Sequence, residues 1–177
     1  MATKKKSSKR TSKSPVTALL ESQHRKVETL FKKLEGGRSA PGPVLEELSN
    51  RLAAHMAIEQ EIYYPAVKQV KKDLVLESYE EHSLAELGLK RLLATNANHE
   101  SFDARVTACK ELIEHHVEEE EEELFPSVDK NVDIDELTAM AKRMKARFAE
   151  VMAAGFAASV PKGFGKTSAD ATKQARS

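Results

Sequence analysis

Two stretches of the chain offer the same metal-binding donors at the same spacing. "HMAIEQEIYYP" runs from His55 to Pro65 and "HVEEEEEELFP" from His116 to Pro126. Each is an ungapped frame of His, a Glu four residues on, and an aromatic residue before a closing Pro. On a helix, positions i and i+4 share a face, so each frame can aim an imidazole nitrogen and a carboxylate oxygen at one point. Imidazole with carboxylate, and no thiolate, suits iron, manganese or zinc.

A second repetition accompanies the first. "ESQHRKVETLFKKL" from Glu21 aligns without a gap to "YEEHSLAELGLKRL" from Tyr79, pairing His24 with His82, Glu28 with Glu86 and Leu34 with Leu92. Each half of the chain therefore carries one His on its first helix and a His-x-x-x-Glu on its second. A twofold arrangement of that kind suits two metals, one largely held by each half and bridged by shared carboxylates.

The elements that must position these residues are helical. Ala, Leu, Glu and Lys dominate, and Gly and Pro are sparse. The spacing predicts helix A over 15–35, B over 43–70 with Pro65 kinking or shortening it, C over 73–95 and D over 101–125, stopped near Pro126. Helix E is predicted over 133–154, opening on an Asp133/Glu136 capping box. No segment alternates with period two, so no sheet is expected. The buried stripes read Val16, Leu20, His24, Val27, Phe31, Leu34 in A and Val44, Leu48, Leu52, His55, Glu59, Ile62 in B. In C they read Val75, Tyr79, His82, Glu86, Leu89, Leu93, and in D Phe102, Val106, Cys109, Ile113, His116, Glu120. Each stripe carries a His, and three carry a Glu one turn later. Unpaired carboxylates facing a shared core would cost several kcal/mol each unless a cation offsets them.

Composition narrows the alternatives. The chain has 177 residues, 40% hydrophobic and 32% charged, which is ordinary for one soluble globular domain. A single cysteine, Cys109, excludes an internal disulfide and a cysteine-rich metal site. No run approaches the roughly 20 apolar residues of a membrane span, and "PVTALL" is too short for a signal peptide, so a cytoplasmic protein is expected. Residues 1–14 are basic and low in complexity, and residues 159–177 resemble them; both are expected to be disordered around a helical domain at 15–158. The basic tail lacks the aromatic interleaving of a specific nucleic-acid reader.

Four histidines and two glutamates in the order His … His-x-x-x-Glu … His … His-x-x-x-Glu, with the ends "YYP" and "LFP", make residues 15–127 resemble a hemerythrin-like protein of the HHE-domain type. The resemblance implies an all-α fold, an antiparallel up-down-up-down four-helix bundle, here with an appended C-terminal helix. It implies two non-haem iron ions with an oxo or hydroxo bridge, His24, His55, His82 and His116 as terminal ligands, and Glu59 and Glu120 bridging. It also implies dioxygen, nitric oxide or peroxide as the partner at an open iron position; Leu52 and Ile113, each one turn before a ligand histidine, are expected to line it.

One position departs from the oxygen carriers, which have a fifth histidine where this chain has Glu86. Glu86 is expected to be a further, anionic ligand that favours ferric iron, or else a partner of a ligand or a solvated side chain. Glu28, its repeat mate, is expected to orient an imidazole. His115 should point about 100° away from His116, onto the surface. Tyr63, Tyr64 and Phe125 are expected to pack the bundle end, and Tyr79 to offer a hydroxyl near the site. Three functional classes stay open: a reversible binder or sensor, an enzyme that decomposes peroxide or reduces a small oxidant, and an iron-handling protein working through a partner.

Overall fold

A computed structural model describes residues 13–36 and 41–159, and all regular structure among them is helical. The tails expected to be disordered lie outside these residues, apart from Lys13, Ser14 and Ser159. Helix α1 spans Pro15–Glu35. Ser14 caps it, its hydroxyl oxygen accepting from the Thr17 N–H at 3.2 Å. Pro15 fits the first turn because the N–H it lacks would have no helical partner there.

Helix α2 (Pro41–Ile58) runs through a π-helical turn, Glu59–Tyr63, into the short α3, Tyr64–Val67. The second half repeats this: α4 (Lys72–Leu93), then α5 (Phe102–Glu119), a π-turn at Glu120–Leu124, and α6, Phe125–Asn131. The expected stop near Pro126 is therefore not there. The wider π-turn hands the Tyr64 N–H to the Glu59 carbonyl and the Phe125 N–H to that of Glu120. Each proline then falls in the first turn of a new α segment, where its missing N–H breaks nothing. Both π-turns begin at a glutamate of the repeated frame.

Helix α7 spans Ile134–Ala154 and α8 Phe156–Ser159. Asp133 caps α7 by accepting from the Asp135 N–H at 2.8 Å. No helix among the described residues is long and apolar enough to cross a membrane.

Helix α1 packs on α2 and α4 on α5, while α7 lies against α2 and α1. Two apolar clusters result. One gathers Val27, Phe31, Leu48, Leu52, Leu89 and Ile113; the other gathers Leu20, Ile58, Tyr63, Tyr64, Val75 and Phe125. Helix α7 is more than an appendage, because it supplies Leu137, Met140, Ala141 and Met144 to the second cluster and Val151 to the first. The four stripe histidines and their glutamates fall between these clusters along each helix.

Candidate metal centre

His24, His55, His82 and His116 are all buried, and Glu59 and Glu120 are 0% exposed. The imidazoles meet in pairs. His24 Nε2 lies 3.1 Å from His55 Nε2, and His82 Nε2 lies 3.1 Å from His116 Nε2, with the rings edge-on in both pairs. Each carboxylate spans two helices. Glu59 Oε2 is 3.2 Å from His55 Nε2 and 3.4 Å from His82 Nε2. Glu120 Oε2 is 3.5 Å from His24 Nε2 and 3.7 Å from His116 Nε2. One group of donors is thus His24, His55, Glu59 and Glu120, the other Glu59, His82 and His116, and Glu59 belongs to both.

The outer nitrogens explain why the inner ones converge. His24 Nδ1–H donates to Glu121 at 2.8 Å, His55 Nδ1–H to Gln23 at 2.8 Å, and His116 Nδ1–H to Glu81 at 2.7 Å. Gln60 lies 3.1 Å from His82 Nδ1 through its amide nitrogen; a half-turn of the amide presents its oxygen instead, as Gln23 does to His55. A proton fixed on Nδ1 leaves Nε2 a lone pair, the tautomer a metal needs.

These partners obey the repeat. Gln23 and Glu81 each precede the first His of a half and hold the second His of that half. Gln60 and Glu121 each follow the bridging Glu of a half and hold the first His of the other. The sequence reading missed all four, although their matched positions beside the ligands were the signal.

Two lone pairs facing each other at 3.1 Å have no hydrogen between them. Both oxygens of Glu59 and Oε2 of Glu120 are buried without a hydrogen-bond partner among the described residues. Two nitrogens 3.1 Å apart, each about 2.1 Å from an ion, would subtend about 95° there. The residues fit a pair of cations. Without them the charges are strained. Burial, and then the charge of Glu120, push the Glu59 carboxyl well above its usual 4.5. Burial pushes Glu120 the same way, but His116, His24 and the Tyr64 hydroxyl outweigh it, so Glu120 sits below 4.5. His55 and His82 lie well below 6.5, from burial first and then neighbouring imidazoles. Burial also works against a charged His24, yet contacts with Glu120 and Glu121 carry it above 6.5.

The remaining expected residues stand elsewhere. Glu86 is not brought to these atoms: Ala85 and Leu89 take the inward positions on that turn, and Glu86 is half-buried at a cavity shared with Gln60, Glu61 and Arg147. Glu28 pairs with Arg25, whose guanidinium also clasps Glu121, so it orients no imidazole directly. The Tyr79 hydroxyl donates to the Gln60 carbonyl at 3.2 Å, one step from His82. Tyr64 does more than pack: its O–H donates to Glu120 Oε1 at 2.9 Å and lies 3.3 Å from His82 Nε2. His115 is exposed.

Comparison with known proteins agrees with this geometry. Residues 16–128 match the model of the hemerythrin HHE cation-binding domain. A crystal structure of a hemerythrin HHE cation-binding domain-containing protein from Mycobacterium kansasii superposes with a TM-score of 0.70, at 25% identity over 78% of this chain and 87% of that one. A Nostoc sp. protein named DNA nickase is 26% identical over 132 residues, 72% of this chain; the match spans only 37% of that protein's length. The chain belongs to the hemerythrin HHE cation-binding domain family.

Proposed function

We propose that the chain holds two non-haem irons in an antiparallel up-down-up-down bundle and meets dioxygen, nitric oxide or peroxide at an open position between them and the apolar core. The observation that carries this is the set of fully buried, unpartnered carboxylate oxygens on Glu59 and Glu120, facing four Nε2 lone pairs. His24 and His55 would hold one ion and His82 and His116 the other, with Glu59 and Glu120 shared. Bound there, the iron pair would supply one- and two-electron chemistry toward a small oxidant.

The protein's own residues do the rest. Gln23, Gln60, Glu81 and Glu121 keep the ring protons on Nδ1, and the Tyr64 O–H neutralises part of the Glu120 charge. Beside all four histidines is a small cavity, just large enough for a single water-sized molecule. Val27, Leu52, Met56, Ile113 and Val117 complete its lining. Its apolar walls favour an uncharged diatomic over an anion or an organic substrate. A wider groove between α1 and α5 shares His24, Val27, Ile113 and Val117 with it, so small side-chain movements would connect the cavity to solvent.

Turnover is the second reading, and Tyr64 favours it: its O–H, held protonated by burial and by the charges of Glu120 and Glu59, keeps a hydrogen-bond donor beside a bridging carboxylate. The nickase activity in the Nostoc relative's name is not carried over, since this chain matches a minor part of that protein. Anaerobic loading with ferrous iron, followed by oxygen and an optical spectrum, tests the proposal. A long-lived oxygen adduct is expected for a binder, and immediate oxidation with peroxide decay for an enzyme. Absence of any iron-dependent spectral change would overturn both.

A further inference from the structure

We propose that a second entrance, between α2, α4 and α7, admits a small uncharged oxidant to the buried centre, with Met56 as its gate. The entrance presupposes the oxidant-binding centre of the proposed function. A solvent-facing cavity of about 350 Å³ lies there, lined by Ala53, Ala57, Gln60, Glu61, Glu86 and Arg147 among others. Met56 is 3% exposed. Among the described residues it is the one side chain that lines both this cavity and the small one beside the four histidines.

The internal repeat supplies an independent observation. Met56 corresponds to Val117 in the repeated frames, and Val117 lines both the small cavity and the groove between α1 and α5. Ala53, Ala57, Gln60 and Glu61 correspond to Glu114, Glu118, Glu121 and Glu122, and all four of these glutamates line that groove. Glu86 corresponds to Glu28, which lines it too. The two openings are therefore repeat mates, and each has at its inner end the residue that follows a ligand histidine.

They differ in charge and in stiffness. Five glutamates and one arginine surround the α1–α5 groove, a mouth that concentrates cations. At the other opening Ala53, Ala57 and Gln60 stand in place of three of those glutamates. Arg147 also clasps Glu61 there through two hydrogen bonds, at 2.7 and 2.9 Å. The result is a nearly neutral mouth with small walls, which lets an uncharged molecule enter without competing with cations. Val117 is branched at Cβ and held to few rotamers, whereas Met56 is unbranched, with three rotatable side-chain bonds. A rotamer change at Met56 joins its two cavities without moving the backbone.

Hydrogen peroxide is the probe, and Met56 reports its arrival. The thioether sulfur takes one peroxide oxygen in a two-electron oxidation, and water leaves. The full chain, freed of metal, is exposed to peroxide, and sulfoxide at each methionine is followed by mass spectrometry. Met56 is expected to oxidise severalfold faster than Met140 and Met144, which are as deeply buried but packed within the second apolar cluster. Ala154→Trp, at an exposed position lining this entrance, should slow Met56 oxidation severalfold. Glu118→Trp, exposed at the α1–α5 groove, should leave it unchanged. These rates need no iron, so their failure is separate from that of the proposed function. In the ferrous-loaded chain, Met56→Leu keeps the volume but stiffens the gate, and oxidation by peroxide should slow; an unchanged rate would remove the gate. Met56 oxidised no faster than Met140 and Met144, or slowed by Glu118→Trp and not by Ala154→Trp, would overturn the proposal.

Discussion

Glu59 and Glu120 occupy equivalent places in the repeat yet titrate in opposite directions: burial and the charge of Glu120 raise Glu59, whereas Glu120 is lowered against its burial by His116, by His24 and, after them, by Tyr64. Its hydroxyl donates to Glu120, and no hydrogen bond reaches either oxygen of Glu59. Glu59 is therefore pushed toward its protonated form in the metal-free fold, and a proton held there must leave for a cation to bind. The sign follows from linkage. A carboxyl raised in the folded state contributes stability that declines as pH climbs above the unfolded value of 4.5 toward the folded one. Glu59→Gln, which resembles the protonated form, should accordingly stabilise the metal-free protein at neutral pH by about 1–3 kcal/mol. It should also abolish metal binding; urea unfolding with and without metal reads both. A Gln variant less stable than metal-free wild type would mean that Glu59 is ionised and paired there. Among the outer partners, Glu81→Gln should lower metal affinity about 10–100-fold while leaving helicity unchanged. Competition with a metal indicator dye measures it, and unchanged affinity would reduce Glu81 to packing. Glu86→Gln should leave the metal content as it was.

At the scale of elements, the π-turns and the cap of α7 set what the helices can carry. Beginning a π-turn at each bridging glutamate widens the helix there and lets Pro65 and Pro126 follow without a break. The stripes that place the donors were legible in the sequence, because His24, His55, His82 and His116 each continue an apolar i, i+3, i+4 series. The π-turns were not, since an i→i+5 turn leaves no periodic mark in five residues; proline was read as a stop for that reason. Glu86 misled for a related cause. It keeps the stripe spacing of helix C, but Val75, His82, Ala85 and Leu89 define a narrower buried face that excludes it. The outer partners escaped because Gln23, Gln60, Glu81 and Glu121 lie beside the stripe and reach across to other helices. Gly155, ending α7 at φ 78° and ψ 163°, occupies a region nearly closed to other residues. A Cβ there would also meet Asn50 Oδ1 at 3.4 Å. Gly155→Ala should cost about 1–3 kcal/mol with metal content unaffected, checked by denaturant unfolding alongside metal analysis.

For the whole molecule, the polar layer between two apolar clusters makes folding and metal binding one equilibrium. Metal that binds only the folded state adds about 2.7 kcal/mol at 100 times its dissociation constant. Acid should expose the dependence. His55 and His82 are held neutral in the metal-free fold, whereas the unfolded chain takes up protons on them below about 6.5. Stability is therefore lost as pH falls through that value. His24, raised above 6.5, and Glu59, raised well above 4.5, both gain stability over the same fall in pH and oppose the trend. In Glu59→Gln, where His24 alone opposes His55 and His82, the metal-free melting temperature should drop between pH 7 and 5. A flat or rising profile would mean that the imidazoles are already charged.

The position of bound metal is the most direct discriminator. Crystals of the iron-loaded chain, measured on both sides of the iron edge, should show two anomalous peaks. One should lie between the Nε2 atoms of His24 and His55, the other between those of His82 and His116, with Glu59 and Glu120 shared. A single peak, or iron bound through the Nδ1 atoms, would contradict the assignment of six buried donors to a two-metal centre.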